Sequence, residues 1–435
     1  MKLLFIENRH KTYLYQEVAK KLKNQGHDIY CLVQNKQFAP LKVFENFIIE
    51  YPTKKNKIYD KDESVEEVIQ SDRQINHFNK KDTSYFYYYN TIIEEYLKNL
   101  KPDFVFGEST AFHELLTIEN CKKLNIKYLN PSTCRYPIGR FSFYINDTLE
   151  PYKGSNEYLS NIEAEEVIDA IIHRKAAPDY MKPSLVSKSE VLNDKLKKIF
   201  SYVNGEKYNT PSLRVKFRIE KEKDLNIKKW DEKAIIDIKN NNSIKVLYPM
   251  QMQPEANIDV WGKKYREQTV LIKKIASVLP PNTVLYVKPN PKSKYELSSE
   301  LIDVVHQEEK IIGLHHSTKM DKVLPYMDLV VTVTGTIAIE CILSNKPVAT
   351  LTKTINNTAR NCEFIQDIEK DIPDILKKVK NHSFNHITIE EKVNYIKLLN
   401  ELSYKGVISD PFSDKNCISV ENIESLTKAF EAILE

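Results

Sequence analysis

Short apolar runs alternate with segments of helical periodicity from the start of the chain. Residues 2–6 read as a buried strand, residues 13–22 carry apolar side chains at helical spacing, and residues 29–33 form the next apolar run. A strand, a helix and a strand in this order build two parallel strands joined by a crossover helix. A buried run at 102–106 followed by a helical pattern over 111–124 continues the series and predicts a parallel sheet.

The same alternation returns in the second half of the chain, after a polar stretch at 237–243. Apolar runs there predict strands over residues 244–248, 283–287, 311–314, 329–333 and 347–351. Helical patterns separate these runs, which predicts a second parallel sheet covered by helices. The predicted fold class is therefore α/β, with two Rossmann-like, doubly wound domains that face each other across a cleft.

Four segments follow from this pattern. Residues 1–185 form the N-terminal Rossmann-like domain. Residues 186–243 form a helical connector and linker, because Pro211 interrupts the periodicity and the segment is highly charged. Residues 244–385 form the C-terminal Rossmann-like domain, and residues 386–435 are helices that are expected to cross back to the N-terminal domain.

Composition places the chain among cytoplasmic globular proteins. With 435 residues, 41% of them hydrophobic and 29% charged, the chain is long enough for two cores. No apolar run approaches the ~20 residues that span a bilayer, and the apolar N-terminus is too short for a signal peptide. The net charge of +4 indicates no nucleic-acid partner, but it allows weak peripheral attraction to the inner face of the cytoplasmic membrane.

No metal site is expected from the sequence. The six cysteines are scattered without CxxC or Cys/His ligand spacing. His315 and His316 are adjacent, and adjacent side chains on an extended segment point to opposite faces.

Candidate chemistry is concentrated at the turn Thr334-Gly335-Thr336, which separates a β-branched run from an apolar helical run. Gly335 has no Cβ, so a ligand can approach its backbone. The first N–H groups of the following helix have no partner inside the helix, and the helix dipole is positive there. The pattern is typical of a phosphate or carboxylate site, and Glu340, one turn into the helix, could accept hydrogen bonds from a ribose.

Two other strand ends of the second half carry polar groups that suit a nucleotide. Gln253 and Glu255 follow the strand that begins the second domain, and Lys288 and Asn290 follow the next one. The carboxyl ends of parallel strands lie along one edge of a doubly wound sheet, so these groups are predicted to form a nucleotide-binding site with the Thr-Gly-Thr turn.

The strand ends of the first half supply candidates for the substrate. Asn8 and Arg9 follow the first strand, Glu108 stands at a strand-to-helix junction, and Arg135 and Arg140 flank a Pro/Gly loop. The two arginines and Arg9 are predicted to bind an anionic substrate group. Glu108 is the predicted catalytic residue.

Several stretches resemble the capsule polysaccharide synthesis family, which includes the bacterial Kdo transferases of capsule export. In the second half they are YPMQMQPEANIDVWG, LYVKPNP and DLVVTVTGTIAIECILSNKPV, with thinner similarity in FVFGEST and RYPIGR in the first half. The resemblance implies a GT-B fold and transfer of Kdo from CMP-Kdo with no metal requirement. Bacterial CMP-sialic acid transferases are similar in pattern and place a His-Pro motif and a Ser/Thr motif on the CMP phosphate.

This chain departs from the family at one motif. The family usually shows Lys-Glu-His-Pro, whereas this chain has Lys288-Pro289-Asn290-Pro291. Asn290 can donate a hydrogen bond to phosphate but carries no charge, so the charge has to come from Lys288. The Thr-Gly-Thr turn fits the second motif of these relatives.

The predicted function is glycosyl transfer in the synthesis of a bacterial capsule or lipopolysaccharide. A CMP-activated ulosonic sugar such as Kdo or sialic acid is the expected donor, and no further cofactor is expected. The N-terminal domain is expected to hold a glycan or glycolipid acceptor, and in an inverting route Glu108 takes the proton of the acceptor hydroxyl as general base. In a retaining route Glu108 would instead act as nucleophile, and a third role is to orient the acceptor only; the sequence does not decide between these roles. Two alternatives stay open: a GT-B transferase or epimerase that uses a UDP- or GDP-sugar, and a non-catalytic nucleotide-sugar-binding subunit of a capsule assembly complex.

Overall fold

The computed structural model describes residues 1–53, 62–175, 186–238 and 242–435, and it divides the chain into two compact units. The first unit contains Met1–Ser160, Ala176–Val215 and Lys397–Glu435, and the second contains Asn161–Lys175 and Lys216–Ile396. Each unit is built on its own sheet.

The strands are β1 (Lys2–Ile6), β2 (Asp28–Val33), β3 (Glu45–Ile48), β4 (Phe104–Phe106), β5 (Lys127–Thr133), β6 (Arg140–Ile145), β7 (Ile244–Pro249), β8 (Thr283–Lys288), β9 (Ile311–Gly313), β10 (Leu329–Thr332), β11 (Val348–Thr350), β12 (Cys362–Phe364) and β13 (Tyr404–Lys405). The α-helices are α1 (Thr12–Asn24), α2 (Glu63–Ser71), α3 (Arg73–Asn76), α4 (Ser84–Leu100), α5 (Phe112–Leu124), α6 (Asn161–Ile172), α7 (Lys188–Val203), α8 (Leu213–Asp231), α9 (Ala256–Asp259), α10 (Gln268–Ser277), α11 (Ser299–Gln307), α12 (Met320–Val323), α13 (Ile337–Ser344), α14 (Ile368–Lys380), α15 (Ile389–Glu401) and α16 (Val420–Leu434).

Within the described residues, the first sheet has seven strands in the order β13-β6-β5-β4-β1-β2-β3. The strands from β1 to β5 pair in parallel, whereas β6 and β13 pair antiparallel. The chain adds β2 and β3 on one side of β1 and then adds β4 and β5 on the other side. The direction of growth therefore reverses between β1 and β4, and the loops that follow these two strands diverge.

The second sheet is parallel throughout. Its order in the described part of the chain is β12-β11-β10-β7-β8-β9, so growth reverses between β7 and β10. The central strands are buried along their length, as strands covered on both faces require. The predicted fold class, α/β with two Rossmann-like doubly wound domains in one chain as in the GT-B class, is confirmed.

The core of the first unit includes the last helix of the chain. Phe430 of α16 is fully buried, and its ring centroid lies 4.8 Å from those of Phe106 and Phe143 and 6.1 Å from that of Phe5. These three partners come from β1, β4 and β6, so α16 packs directly on the sheet beside α1. Offset and edge-to-face ring contacts of this kind add to the free energy gained from burial.

Helix α4 brings a second group of aromatic side chains into the same unit. Its run Tyr85–Tyr89 is buried, and the ring of Phe86 lies edge-on to that of Phe112 on α5 at 5.4 Å. The tyrosine stripe is therefore part of the core between these helices.

The core of the second unit depends on a tryptophan at the end of α8. Trp230 is 1% exposed, and its Nε1–H donates to the carbonyl oxygen of Leu314 at 2.9 Å. Gly313 allows this close approach, because a Cβ there would lie only 3.0 Å from Cζ2 of the indole. The contact fixes the end of α8 against the carboxyl end of β9.

The division of the chain differs from the predicted one in two places. Helix α6, which the sequence places in the N-terminal domain, packs on α13 and belongs to the second unit. Most of the predicted connector is not a separate segment, because α7 belongs to the first unit and most of α8 to the second. The predicted boundary at 185 and the linker residues Asn240 and Asn241 lie outside the described residues.

Among the described helices, none combines the length and the apolar character that crossing a bilayer requires.

Candidate functional site

The reversal of strand order in the second sheet brings the loops after β7 and β10 together. Gln251 follows β7, and its side-chain amide donates to Oγ1 of Thr332 at the end of β10 across 3.4 Å. The turn formed by Thr334, Gly335 and Thr336 comes next and leads into α13. Open α/β sheets bind ligands at such a reversal, so this turn occupies the position in the sheet where a ligand is expected.

Gly335 is required by packing inside this turn. Its N–H donates to Oγ1 of Thr332 at 3.2 Å, and a Cβ would come within 2.5 Å of that oxygen and 3.3 Å of Nε2 of Gln251. The hydroxyl of Thr334 donates to the carbonyl oxygen of Asn257 at 3.1 Å. The glycine therefore lets the loop fold against β10, which is a different reason from the close ligand approach that the sequence suggests.

The remaining polar feature of the turn is the N-terminal end of α13. Thr336 is partly exposed and precedes the first helical residue. The N–H groups of Ala338 and Ile339 donate to the carbonyl oxygens of Gly335 and Thr336 at 3.1 and 3.0 Å. The helix dipole directs positive partial charge toward Thr336 and makes this end the most favourable place in the turn for an anion.

Glu340 of α13 has a partner that the sequence does not reveal. Nε and Nη2 of Arg174, just after α6, donate to Oε2 of Glu340 at 3.1 and 2.5 Å. Burial raises the pKa of Glu340, and the guanidinium opposes that shift. The ion pair fastens α6 to α13, so a ribose at Glu340 would share the carboxylate with Arg174.

Lys288 ends β8, the strand next to β7, and its side chain is turned inward. The ammonium group donates to the carbonyl oxygens of Pro289 and His316 at 2.6 and 2.8 Å. Burial lowers the pKa of Lys288 to about 8, although the carboxylate of Asp231 acts in the opposite direction. The lysine remains mostly charged at neutral pH and holds the loops after β8 and β9 together, which adds a structural role to the predicted phosphate contact.

Asn290 closes the turn that follows Lys288. Its Oδ1 accepts from the backbone N–H of Lys292 at 2.8 Å, and its carbonyl oxygen accepts from the N–H of Ser293 at 3.0 Å. The oxygen of the amide is thereby engaged, which leaves the –NH₂ group as the part suited to donate to a phosphate.

Gln253 is a structural residue of the loop after β7. It is 7% exposed, and its Nε2 donates to Asp259 Oδ1 at 2.9 Å while its Oε1 accepts from Gln268 at 2.9 Å. Glu255 precedes α9, and its backbone N–H donates to Asp259 at 2.9 Å. Burial raises the pKa of Asp259 to about 6. This network shapes the loop and gives Gln253 a role different from the predicted ligand contact.

Glu108 lies at the reversal of the first sheet, directly after β4. Its carboxylate forms an ion pair with Lys11, which lies just after β1, and the two side chains are 13% and 20% exposed. Burial raises the pKa of Glu108, and Lys11 is the main influence that opposes the shift. The predicted base is thus a shielded carboxylate at the place where an open sheet binds ligands.

The turn that presents Glu108 is fixed by a second acid, Glu114, which is fully buried. Glu114 accepts from the backbone N–H groups of Glu108 at 3.1 Å and Ala111 at 2.8 Å, and from the amide of Asn8 at 2.9 Å. Asn8 also donates to the hydroxyl of Thr110 at 3.2 Å. Asn8 therefore joins the loops after β1 and β4.

Arg9 has backbone torsion φ of 45°, in the left-handed region that non-glycine residues seldom adopt. Its N–H donates to Glu7 Oε1 at 2.6 Å, and its guanidinium donates to the carbonyl oxygen of Asn209 at 2.6 Å. Burial, with a smaller contribution from Arg73, lowers the pKa of Arg9 to about 10. In this backbone conformation, Arg9 is hydrogen-bonded to Glu7 and Asn209 within the protein.

Arg140 occupies a structural position. The sequence places it beside a loop, but it starts β6, is 5% exposed, and its guanidinium donates to Glu157 at 2.7 Å and to the carbonyl oxygen of Ser403 at 2.7 Å. These contacts favour a role in joining the C-terminal segment to the sheet over the predicted role in substrate binding. Arg135 is partly buried in the hairpin between β5 and β6.

Comparison with known proteins finds similar architectures. No protein-family model matches the chain, and no curated protein matches it. Among solved structures, the chain is similar to KpsC, a β-Kdo 2,7-transferase of Thermosulfurimonas dismutans, at 10% identity with 99% of this chain and 100% of that chain covered and a TM-score of 0.40. It is similar to the UDP-GlcNAc 2-epimerase of Methanocaldococcus jannaschii at 13% identity, covering 92% and 99%, with a TM-score of 0.29. For MurG of Acinetobacter baumannii the identity is 10%, the coverage 91% and 94%, and the TM-score 0.28.

Sequence reasoning missed three side chains: two pair with predicted site residues, and the third, Asp231, pairs with His316. Lys11, Arg174 and Asp231 meet partners that are 97, 166 and 85 positions away along the chain. Only Lys11 carries a local signal, because it closely follows the end of β1. The expectation that His315 and His316 point to opposite faces was wrong: both approach Asp231, because the strand ends at Gly313 and the chain turns at the histidines.

The buried charge of Lys288 predicts a specific pH dependence of stability. Because its pKa is lower in the folded chain than in the unfolded chain, the charged form is penalised on folding, and this penalty is relieved as the pH rises from about 8 to about 10.5. The free energy of unfolding of the native chain should rise over this window relative to that of Lys288→Met, by roughly 3 kcal/mol at most. Urea unfolding measures it, with the exposed Lys292→Met as control. A difference between native chain and Lys288→Met that stays flat over the window would contradict the assignment.

Proposed function

We propose that this protein is a glycosyltransferase of bacterial surface polysaccharide synthesis. It transfers an ulosonic-type sugar, Kdo, sialic acid or a relative, from a CMP-activated donor to a glycan or glycolipid acceptor. The observation that carries the proposal is the position of the Thr-Gly-Thr turn at the strand reversal of the second sheet, beside Gln251. The donor class comes from the resemblance of this turn and the 288–291 motif to capsule Kdo transferases.

The proposed nucleotide site uses the loops that follow β8 and β10. The CMP phosphate lies at Thr336 and the N-terminal end of α13, where the helix dipole favours negative charge. Asn290, in the loop after β8, donates to the phosphate through its amide. Lys288, the last residue of β8, contributes positive charge. Preorganised donors of this kind stabilise the charge that develops on CMP as it leaves. Glu340 orients the ribose together with Arg174.

Glu108 is the proposed general base. Burial raises the pKa of its carboxyl group, which favours proton transfer at neutral pH, and the ion pair with Lys11 opposes that shift. Glu108 takes the proton of the acceptor hydroxyl as that oxygen attacks the anomeric carbon and the bond to CMP breaks. Arg135 is the proposed acceptor-binding residue of this unit, whereas Asn8 and Arg9 are engaged in hydrogen bonds within the protein. The proposed transfer step uses no metal.

One observation favours a second candidate. Asn290 stands where the resembling family has a histidine, which fits a GT-B transferase or an epimerase that uses a UDP- or GDP-sugar. A non-catalytic nucleotide-sugar-binding subunit of a capsule assembly complex is the third candidate. The presence of Glu108, Lys288 and Glu340 argues against it, because a silent subunit would be free to lose such charged residues.

Peripheral binding to the inner face of the cytoplasmic membrane is supported by helix α7. Leu192, Leu196, Phe200 and Val203 recur at helical spacing and are 54–76% exposed. Such a stripe of large apolar side chains is unusual on a soluble surface, and the exposed Lys195 stands on the same helix. An amphipathic helix with this composition can lie in the interface of an anionic bilayer.

The choice of nucleotide is tested with a thermal-shift panel of CMP, UDP and GDP. CMP at about 100 times its dissociation constant should stabilise the protein by about 3 kcal/mol, whereas UDP and GDP should give little. Thr336→Ala should remove most of the CMP effect, and the exposed Thr358→Ala should retain it. Stabilisation by UDP without CMP would replace the leading donor with the second candidate.

The base is tested with Glu108→Gln. The variant keeps the size and hydrogen-bonding shape of the side chain but loses the proton acceptor, so turnover should fall by about 10²-fold or more. CMP binding should remain unchanged, since Glu108 belongs to the other unit. Glu119→Gln is the matched control, because Glu119 is also paired with a lysine, Lys122, on the same unit. If Glu108→Gln turns over as fast as the control, the base is another residue.

Membrane binding is tested by cosedimentation with phosphatidylglycerol vesicles and with neutral phosphatidylcholine vesicles. The native chain should bind the anionic vesicles, and the double variant Leu196→Glu, Phe200→Glu should lose this binding. Val270→Glu, at an exposed apolar position on α10, should not change it. Equal binding by all three proteins would rule out α7 as the contact.

A further inference from the structure

The turn after β9 brings two histidines against the last residue of α8. Nδ1 of His316 bonds directly to Oδ2 of Asp231, and Nε2 of His315 lies 3.4 Å from the same oxygen. The two imidazole rings are 5.0 Å apart between centroids and inclined by 32°. Two imidazole nitrogens and one carboxylate therefore converge on one point, with all three ligand atoms within 4.8 Å of one another.

The backbone around these side chains is held in place by contacts from three segments. The N–H of His315 donates to the carbonyl oxygen of Ile235 at 2.9 Å, and the N–H of His316 donates to Oδ1 of Asp231 at 3.0 Å. Lys288 donates to the carbonyl oxygen of His316 at 2.8 Å. The backbone at the two histidines is thus held by the fold before an ion arrives, which reduces the ordering that binding has to impose.

The cluster is also open to solvent and has an outer contact. The side chains of His315, His316 and Asp231 are 25%, 28% and 17% exposed. The backbone N–H of Ser317 donates to Nδ1 of His315 at 3.3 Å, and the hydroxyl of Ser317 lies 2.9 Å from the same nitrogen. Outer contacts of this kind orient a ligating imidazole.

We propose that Asp231, His315 and His316 form a binding site for one borderline divalent cation such as Zn²⁺ or Co²⁺. Two imidazoles and a carboxylate supply three of four tetrahedral positions at bonds of about 2.0–2.2 Å, and water supplies the fourth. A small rotation of the Asp231 carboxylate opens its contact with His316 enough to admit the ion. Mg²⁺ and Ca²⁺ prefer oxygen-only sets, so the nitrogen ligands select against them. The ion has no role in the proposed transfer step, although Lys288 of the proposed nucleotide site contacts the backbone of His316.

The test uses Co²⁺ alone, added to the full-length chain at neutral pH and followed by visible absorption. A four-coordinate site should give the intense visible bands of tetrahedral Co²⁺ at a stoichiometry of one, and Zn²⁺ but not Mg²⁺ should displace them. His315→Ala, His316→Ala and Asp231→Asn should each weaken binding by about tenfold or more. His386→Ala and Asp303→Asn, at exposed positions elsewhere in the second unit, are the matched controls.

The melting temperature of each variant without metal shows whether it folds. His315→Ala keeps the test decisive, because it leaves the close contact between His316 and Asp231 intact. If His315→Ala and the controls bind Co²⁺ as tightly as the native chain, or if the native chain gives no tetrahedral bands, the cluster is a hydrogen-bonded Asp–His arrangement without a metal and the proposal is overturned.

Discussion

Both units depend on the same constraint, the reversal in the order of parallel strands. A crossover from one parallel strand to the next keeps all carboxyl ends at one edge of the sheet, and the loops diverge only where growth changes direction. In the first unit this point lies between β1 and β4, where Asn8 and Glu108 are found. In the second it lies between β7 and β10, where Gln251 meets the Thr-Gly-Thr turn. In each unit, the order of the strands therefore places these candidate residues at the strand reversal.

Much of the fold follows from local sequence. Buried parallel strands read as short apolar runs, and β1, β7, β8 and β10 lie within one residue of their predicted bounds. The failures have nonlocal causes. Strand β6 begins at Arg140 beside a Pro/Gly turn. The guanidinium of Arg140 pairs with Glu157 and donates to the carbonyl oxygen of Ser403 in the C-terminal segment. Helix α6 joins the second unit through its packing on α13, which no periodicity reveals.

Local sequence predicts less of the candidate site than of the fold. The sequence indicates which residues follow which strands, but not what each side chain contacts. Lys288 is buried against two carbonyl oxygens, Glu340 is paired with Arg174, and Gly335 serves the packing of β10. The two histidines after β9 were expected to point to opposite faces. That alternation holds only within a strand, and the chain has already turned at these residues. Each of these outcomes is set by a partner distant in sequence.

The central claim is that the strand reversal of the second sheet binds the nucleotide of a CMP-activated sugar. A crystal structure of the chain with CMP tests it most directly. The account predicts the phosphate within hydrogen-bonding distance of Thr336 and the N-terminal end of α13, with the ribose near Glu340. CMP bound at the carboxyl ends of β1 and β4, or away from both sheet reversals, would contradict it.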